Sequence, residues 1–233
     1  MSEPSKKEQV RVMFDDISHR YDFLNHFLSL GIDKIWRRKL VRILSSHNPS
    51  SVLDVATGTG DLAIQISSIK PKKIIGIDIS EKMLEIGRQK LIEKGLDQLI
   101  TLKTADAEKI PFSDNCFDAI TVAFGVRNYE NLELGLTEMG RVLRPKGIML
   151  ILEFSHPASF PMKQFYGLYS RYVIPLMGRM ISGNSKAYTY LPESVAAFPS
   201  GRNFIEILDK LGFKNTRQVV LSMGIASIYL AEK

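Results

Sequence analysis

Cysteine occurs once in 233 residues and histidine four times. Cys116 alone cannot close an internal disulfide. With no His/Cys cluster at ligand spacing, the chain offers no metal centre, and a reducing compartment is compatible. Long apolar runs are also missing. Met1 to Val10 is polar, without an apolar core of signal-peptide length. Later runs such as Ile148 to Leu152 are strand-sized, far below the roughly 18 residues of a spanning segment. The chain is therefore expected to be cytoplasmic and not to cross a membrane, with peripheral contact at its inner face left open. Internal repeats and low-complexity tracts are absent. Acidic residues fall short of basic ones, 25 against 31, for a net charge of +6. That excess suits an anionic partner (nucleic acid, membrane surface or acidic substrate) without choosing among them.

What is present is ordinary globular composition, 45% hydrophobic and 24% charged. At this length one α/β domain over 1–233 buries surface more efficiently than two small ones. Apolar residues at helical spacing predict a helix over Lys6 to Leu28, with Val10, Met13, Phe14, Ile17, Tyr21, Leu24 and Leu28 near one face. A second is predicted from Lys34 to Ser45, with Ile35, Trp36, Leu40, Ile43 and Leu44 inward and Arg37, Arg38, Lys39 and Arg42 largely outward. Residues 1–48 read as a helical lid. From Ser51 strands alternate with helices: Val52 to Val55, Lys73 to Ile77, Leu99 to Thr104, Phe117 to Val122 and Gly147 to Phe154. Helices are expected from Asp61, from Glu81 to about Lys94 behind the cap Ser80, and from Asn131 to Leu143. Such alternation predicts a mainly parallel sheet with helices on both faces. A helix near Asn203 to Lys210 precedes Thr216 to Leu221 and Ile225 to Ala231, which read as an antiparallel hairpin on the sheet edge. Residues 157–200 form a Tyr- and Met-rich cap insertion, expected to be helical at Met162 to Ile181.

Gly58, Gly60 and Ala63 satisfy a G-x-G-x-x-[GA] pattern, with Asp78 about 20 residues on, so a nicotinamide or flavin oxidoreductase is one reading. The pattern alone is weak, because any nucleoside cofactor needs a sharp turn and close backbone approach. The flanking charges discriminate. A dinucleotide sets its pyrophosphate on the helix amino terminus, yet Asp54 and Asp61 stand on either side of this loop. Two carboxylates disfavour a pyrophosphate and suit a phosphate-free cofactor with a cationic end, S-adenosyl-L-methionine. Asp61 acting only on the helix dipole is an equal reading of that residue. Asp54, Gly58, Gly60, Asp78 and Asp106 all fall at strand carboxyl ends, where such folds bind ligands.

Leu53-Asp54-Val55-Ala56-Thr57-Gly58-Thr59-Gly60-Asp61-Leu62 resembles the first motif of class I methyltransferases. Along nearly its whole length the chain resembles the menaquinone and ubiquinone biosynthesis C-methyltransferases. Tyr21-Asp22-Phe23-Leu24-Asn25, Leu28-Ser29-Leu30-Gly31 and Trp36 match one signature. Arg141-Val142-Leu143-Arg144-Pro145-Lys146-Gly147 with Glu153-Phe154-Ser155 matches another. Phe124-Gly125-Val126-Arg127-Asn128 and Tyr188-Thr189-Tyr190-Leu191-Pro192-Glu193-Ser194 also look like family sequence. Departures are Leu24 for the usual Met, Lys146 for a frequent Gly, and Ala123 where a Ser often contacts cofactor. The resemblance implies a Rossmann-like class I fold with a seven-stranded sheet.

It further implies Thr59, Asp78, Asp106 and Ala107 as cofactor contacts. Asp78 would accept from both ribose hydroxyls, and Asp106 with the Ala107 backbone would address the adenine. Ile79 and Met83 would pack its faces, although Met83 at helical spacing also reads as plain core. With the loss of the serine hydroxyl, Ala123 can contribute only backbone. The implied reaction is methylation of a ring carbon of demethylmenaquinol, or alternatively of a ubiquinol precursor. An ionising ring hydroxyl makes the adjacent carbon nucleophilic, so positioning and stabilisation of phenolate character carry the acceleration. Arg127 and Asn128 are the expected donors to quinol oxygens at the site's rim, an arginine serving without titrating. Tyr21, with Asp22 and Asn25, lies on the lid and can pack on the ring or relay a proton. His19, His26 and His156 have suitable intrinsic pKa values, but none has a visible partner, and the base stays open.

For the prenyl tail, Phe160, Met162, Phe165, Tyr166, Leu168, Tyr169, Tyr172 and Met177 offer an apolar path, with Arg171 and Arg179 toward lipid headgroups. Cover for the sheet edge explains them equally well. Arg37-Arg38-Lys39 with Arg42 raises an RNA methyltransferase, but no aromatics interleave for base stacking, and no nucleic-acid partner is expected. Oligomeric state stays open, with a homodimer among the options.

Overall fold

A computed structural model describes residues 4–29, 31–157, 164, 167 and 185–233, the side chains of 20–28 and 185–189 excepted. The expected helix at Met162 to Ile181 and nearly all of the apolar tail path lie outside the described residues.

Two helices, α1 (Lys6–Leu28) and α2 (Ile32–Ser45), precede the alternating part. There β1 (Ser51–Val55), α3 (Asp61–Ile66), β2 (Lys73–Asp78), α4 (Glu81–Glu93), β3 (Ile100–Thr104), β4 (Phe117–Ala123), α5 (Leu132–Val142) and β5 (Leu143–Phe154) follow one another. Beyond the cap region come α6 (Ser185–Ala197), α7 (Arg202–Lys210), β6 (Lys214–Leu221) and β7 (Ala226–Glu232). The seven strands are ordered β3-β2-β1-β4-β5-β7-β6. The first five are mutually parallel, and β7 runs antiparallel to both β5 and β6. The expected edge hairpin is therefore present.

Successive strand residues feed opposite cores. Val52, Ile74, Ala119 and Leu150 meet Leu40, Leu44, Leu62 and Leu84 of α2, α3 and α4. Their neighbours Leu53, Ile75, Ile120 and Ile151 meet Leu136 and Met139 of α5 and Phe204 and Leu208 of α7. Burial on both faces is why these strands read as continuous apolar runs. The expected cap is in place, with Ser80 Oγ accepting from the Met83 N–H, and α5 is capped in the same way by Asn131 Oδ1, which accepts from the Leu134 N–H.

Two local expectations are corrected. On α2, Ile35 is 59% exposed whereas Arg37 is 6% exposed. Arg37 pairs with Asp33 one turn earlier and lies over the Phe124 ring, so a charge expected in solvent is neutralised inside. Strand β5 begins at Leu143 rather than Gly147, because Leu143 already pairs with Phe117. Lys146, at φ 65°, lies in the bulge that restores register at Ile148.

Candidate active site

The sheet order turns about β1, and the carboxyl ends of β1 to β4 open into one cleft there. Open α/β sheets bind ligands at that crevice. Its walls bound about 680 Å³ of space, open solvent at the mouth included.

The loops meeting there are strained. Ala56 after β1 has φ 53° and Phe124 after β4 has φ 61°. Left-handed backbone is unfavourable for both side chains and persists where packing over-determines it, commonly at functional sites. Gly125 approaches the first loop so closely that a Cβ there would stand 2.6 Å from Ala56 Cβ. Gly58, at φ 57°, completes the β1 turn.

Asp78 ends β2 on the cleft wall. Its Oδ2 accepts from the Gly58 N–H at 2.8 Å and its Oδ1 from the Ser80 N–H at 2.9 Å. Burial raises its pKa, opposed by backbone donors Ser80, Gly58 and Ile79. These bonds fix the carboxylate yet leave acceptor capacity for hydroxyl donors. Asp106 Oδ1 accepts from the Glu108 N–H at 2.9 Å, while its Oδ2 meets Lys7 Nζ at 2.6 Å.

Helix α1 supplies one wall through Lys7, Val10 and Phe14. It is pinned at three places. Lys7 bridges Asp106 and, at 3.1 Å, Glu108. Lys6 Nζ donates to the carbonyls of Arg127 and Tyr129. Ser80 Oγ donates to Asp15 Oδ1 at 2.6 Å.

Gly58, Asp78, Ile79, Met83, Asp106, Ala107, Ala123 and Asn128 are thus gathered around one cleft. Asp54, Thr59 and Gly60 are not among its walls. Asp54 is 1% exposed and accepts from Thr57 Oγ1 at 2.6 Å and Thr121 Oγ1 at 2.7 Å, buttressing the turn from behind. Burial pushes its pKa up to about 6. Thr59, 2% exposed, receives Lys90 Nζ on its hydroxyl at 3.0 Å, so its side chain serves that contact. Asp61 pairs with the same Lys90 at 2.7 Å. The charge argument drawn from Asp61 is thereby corrected, since Lys90 neutralises it; the carboxylates that accept hydrogen bonds from the turn are Asp54 and Asp78.

Arg127 is corrected as well. It does not stand on the rim with a free guanidinium. Its side chain is 7% exposed, its Nη1 meets Glu153 Oε1 at 2.8 Å, and it stacks 5.3 Å from the Phe154 ring centre. Among the described residues its Nε has no acceptor. Asn128 Oδ1 accepts from the Tyr190 hydroxyl of α6 at 3.1 Å, tying the cap to the cleft. The side chains of Tyr21, Asp22, Asn25 and His26 lie outside the described residues. His19 is exposed, and exposed His156 meets the Val195 carbonyl at 3.1 Å. Neither lines the cleft. Sequence reasoning gave no role to Lys7, Glu153, Tyr190 or Tyr129; only the quoted Glu153-Phe154-Ser155 and Tyr188–Ser194 matches marked two of them.

The profile of the ubiE/COQ5 methyltransferase family matches residues 2–233. The demethylmenaquinone methyltransferase of Bacteroides fragilis is 47% identical over 98% of this chain and 94% of its own. The ubiquinone/menaquinone biosynthesis C-methyltransferase UbiE of Geotalea daltonii is 46% identical over 98% and 97%. A SAM-dependent methyltransferase structure from Thermotoga maritima superposes with TM-score 0.65 at 19% identity, covering 95% of this chain and 98% of that one.

Proposed function

The chain belongs to the ubiE/COQ5 methyltransferase family, and on that premise we propose that it methylates a ring carbon of demethylmenaquinol at the β1–β4 cleft. It has the class I methyltransferase fold and depends on S-adenosyl-L-methionine, which supplies the methyl group.

The observation that carries the assignment to this cleft is the fixed Asp78 carboxylate, held by two backbone donors beside Gly58. The cleft residues fit the cofactor: Asp78 for ribose hydroxyls, Ile79 and Met83 for the faces of a purine, and Asp106 with the Ala107 backbone for its edge. Ala123 offers backbone alone. Asp54, Thr59 and Gly60 support the turn.

Arg127 and Asn128 hold the quinol's ring oxygen. The Arg127 Nε, buried and without an acceptor among the described residues, is the donor available to stabilise phenolate character. Glu153 holds that guanidinium in place, and Tyr190 orients the Asn128 carboxamide. Tyr21, carried over from the resemblance, closes the site from the lid.

In this reading 1–233 is one methyltransferase domain, 1–48 its lid and 157–200 its cap. The lid is supported by the three attachments of α1. No described helix is long and apolar enough to cross a membrane. The cap would meet the prenyl tail at the inner face of the membrane, with the enzyme cytoplasmic. A ubiquinol precursor is the second reading, favoured by the double name of the Geotalea daltonii relative.

Calorimetric titration with S-adenosylmethionine, S-adenosylhomocysteine and NAD, then mass spectrometry with reduced demethylmenaquinone, tests the function. Binding of the sulfonium pair without NAD and a gain of one methyl are expected. Methylation of a ubiquinol precursor in preference would replace the substrate.

A further inference from the structure

We propose that the Tyr129 hydroxyl is a hydrogen-bond donor to the adenosine half of the cofactor. The inference rests on the cofactor occupying the cleft described above.

Tyr129 follows the short 3-10 turn Val126–Asn128 and is 8% exposed. Its ring seals against α5, where Gly135 makes room: a Cβ there would lie 2.5 Å from Tyr129 Cδ2. Lys6 of α1 grips its backbone carbonyl. The residue is therefore held at its ring and at its backbone. It lines the cleft together with Asp106, Ala107 and Glu108. Yet its hydroxyl, closed off from solvent, has no hydrogen-bond partner among the described residues.

A buried hydroxyl without a partner is costly and calls for a reason. Here the surroundings fix what kind of partner it can take. Burial and the negative charges of Asp78, Glu153, Asp54 and Glu108 all hold the phenol protonated. It therefore keeps a proton to donate. The adenosine half offers acceptors in its ribose oxygens and purine ring nitrogens. The cleft wall it shares with Asp106, Ala107 and Glu108 is the one assigned above to the adenine, which puts this residue at the adenosine end of the cleft.

Such an arrangement trades folding stability for binding, and that gives a signature a purely structural tyrosine lacks. Tyr129→Phe removes the orphan donor and keeps the ring. Unfolding midpoints without cofactor should be equal to or above the native value. The dissociation constant for S-adenosylhomocysteine, measured by calorimetry, should rise about tenfold, the loss of one hydrogen bond. An affinity within about twofold of native overturns the proposal. So does a cofactor-free midpoint lowered by more than about 3 °C, since the hydroxyl would then serve a structural water. Should Tyr129→Phe not fold, the native protein still decides: its Tyr129 hydroxyl proton must slow its exchange with water, by NMR, on saturation with S-adenosylhomocysteine. Unchanged exchange overturns the assignment. Asp78→Ala keeps the two readings apart. Near-native binding by that variant removes the cofactor from this cleft altogether, whereas its loss alongside an unaffected Tyr129→Phe rejects Tyr129 alone.

Discussion

Glu153 closes on Arg127 through an oxygen–nitrogen contact of 2.8 Å, with the carboxylate side chain at 0% exposure. Removing one member of a buried pair strands the other charge. Glu153→Ala is expected to destabilise by about 3–5 kcal/mol, and Glu153→Gln by less, because it keeps the volume and one acceptor. Urea unfolding of both variants measures this. Equal, small losses would mean that water reaches the pair.

For Arg127 itself, the expectation is a split between steps. Arg127→Ala should lower turnover by about 100-fold or more, as loss of a preorganised donor does, while cofactor affinity stays close to native. Kinetics and calorimetry on the same preparation give both numbers. Parallel losses would reassign the residue to cofactor binding or to folding.

Asp54 ties stability to acidity in an uncommon direction. Its folded pKa of about 6 lies above the ordinary 3.8, so the folded state holds the proton more tightly. Its stabilising contribution is full below pH 3.8 and is lost as pH rises through 6. The shift corresponds to about 3 kcal/mol. Asp54→Asn cannot titrate, so native stability should gain on this variant by most of that amount as pH falls from 7 to 4. Parallel curves in denaturant titrations across that range would reject it.

Ser80 performs two tasks with one oxygen, capping α4 and donating to Asp15 of α1. Ser80→Ala should cost about 1–3 kcal/mol, a cap plus a buried bond. At this chain length that is a midpoint fall of about 2–4 °C per kcal/mol, readable by calorimetry.

Lys7 tests the lid. Its bridge to Asp106 and Glu108 is one-third exposed, and Lys7→Met should change global stability by less than about 1 kcal/mol. Local opening should nonetheless increase, giving faster hydrogen exchange in the first turns of α1. Unaltered exchange there would leave Lys6 and Asp15 as the effective attachments.

Much of the framework was legible because fully buried strands leave unbroken apolar runs and caps leave polar signatures: Val52 to Val55 and Ser80 are examples. Asp78 and Asp106 were legible from their place after strands. What escaped reading depended on partners distant in sequence. Lys7 meets Asp106 across 99 positions, and nothing local marks it. Arg127 looked like a rim donor because Glu153, 26 positions on, had no visible reason to draw it inward. Arg37 was misjudged although Asp33, one turn before it, carried the opposing charge. The missing hydrogen bond of Tyr129 exists only once the chain is folded.

Trp36 packs at 6.1 Å from Phe124, a cleft residue, and at 6.2 Å from Phe154, and its indole N–H donates to Ser222 Oγ at 2.9 Å. As the sole tryptophan, it turns the protein's emission under tryptophan-selective excitation into a signal from behind the active cleft. A ligand that moves Phe124 alters the brightness or colour of one defined fluorophore, and every encounter can be timed without attaching a label.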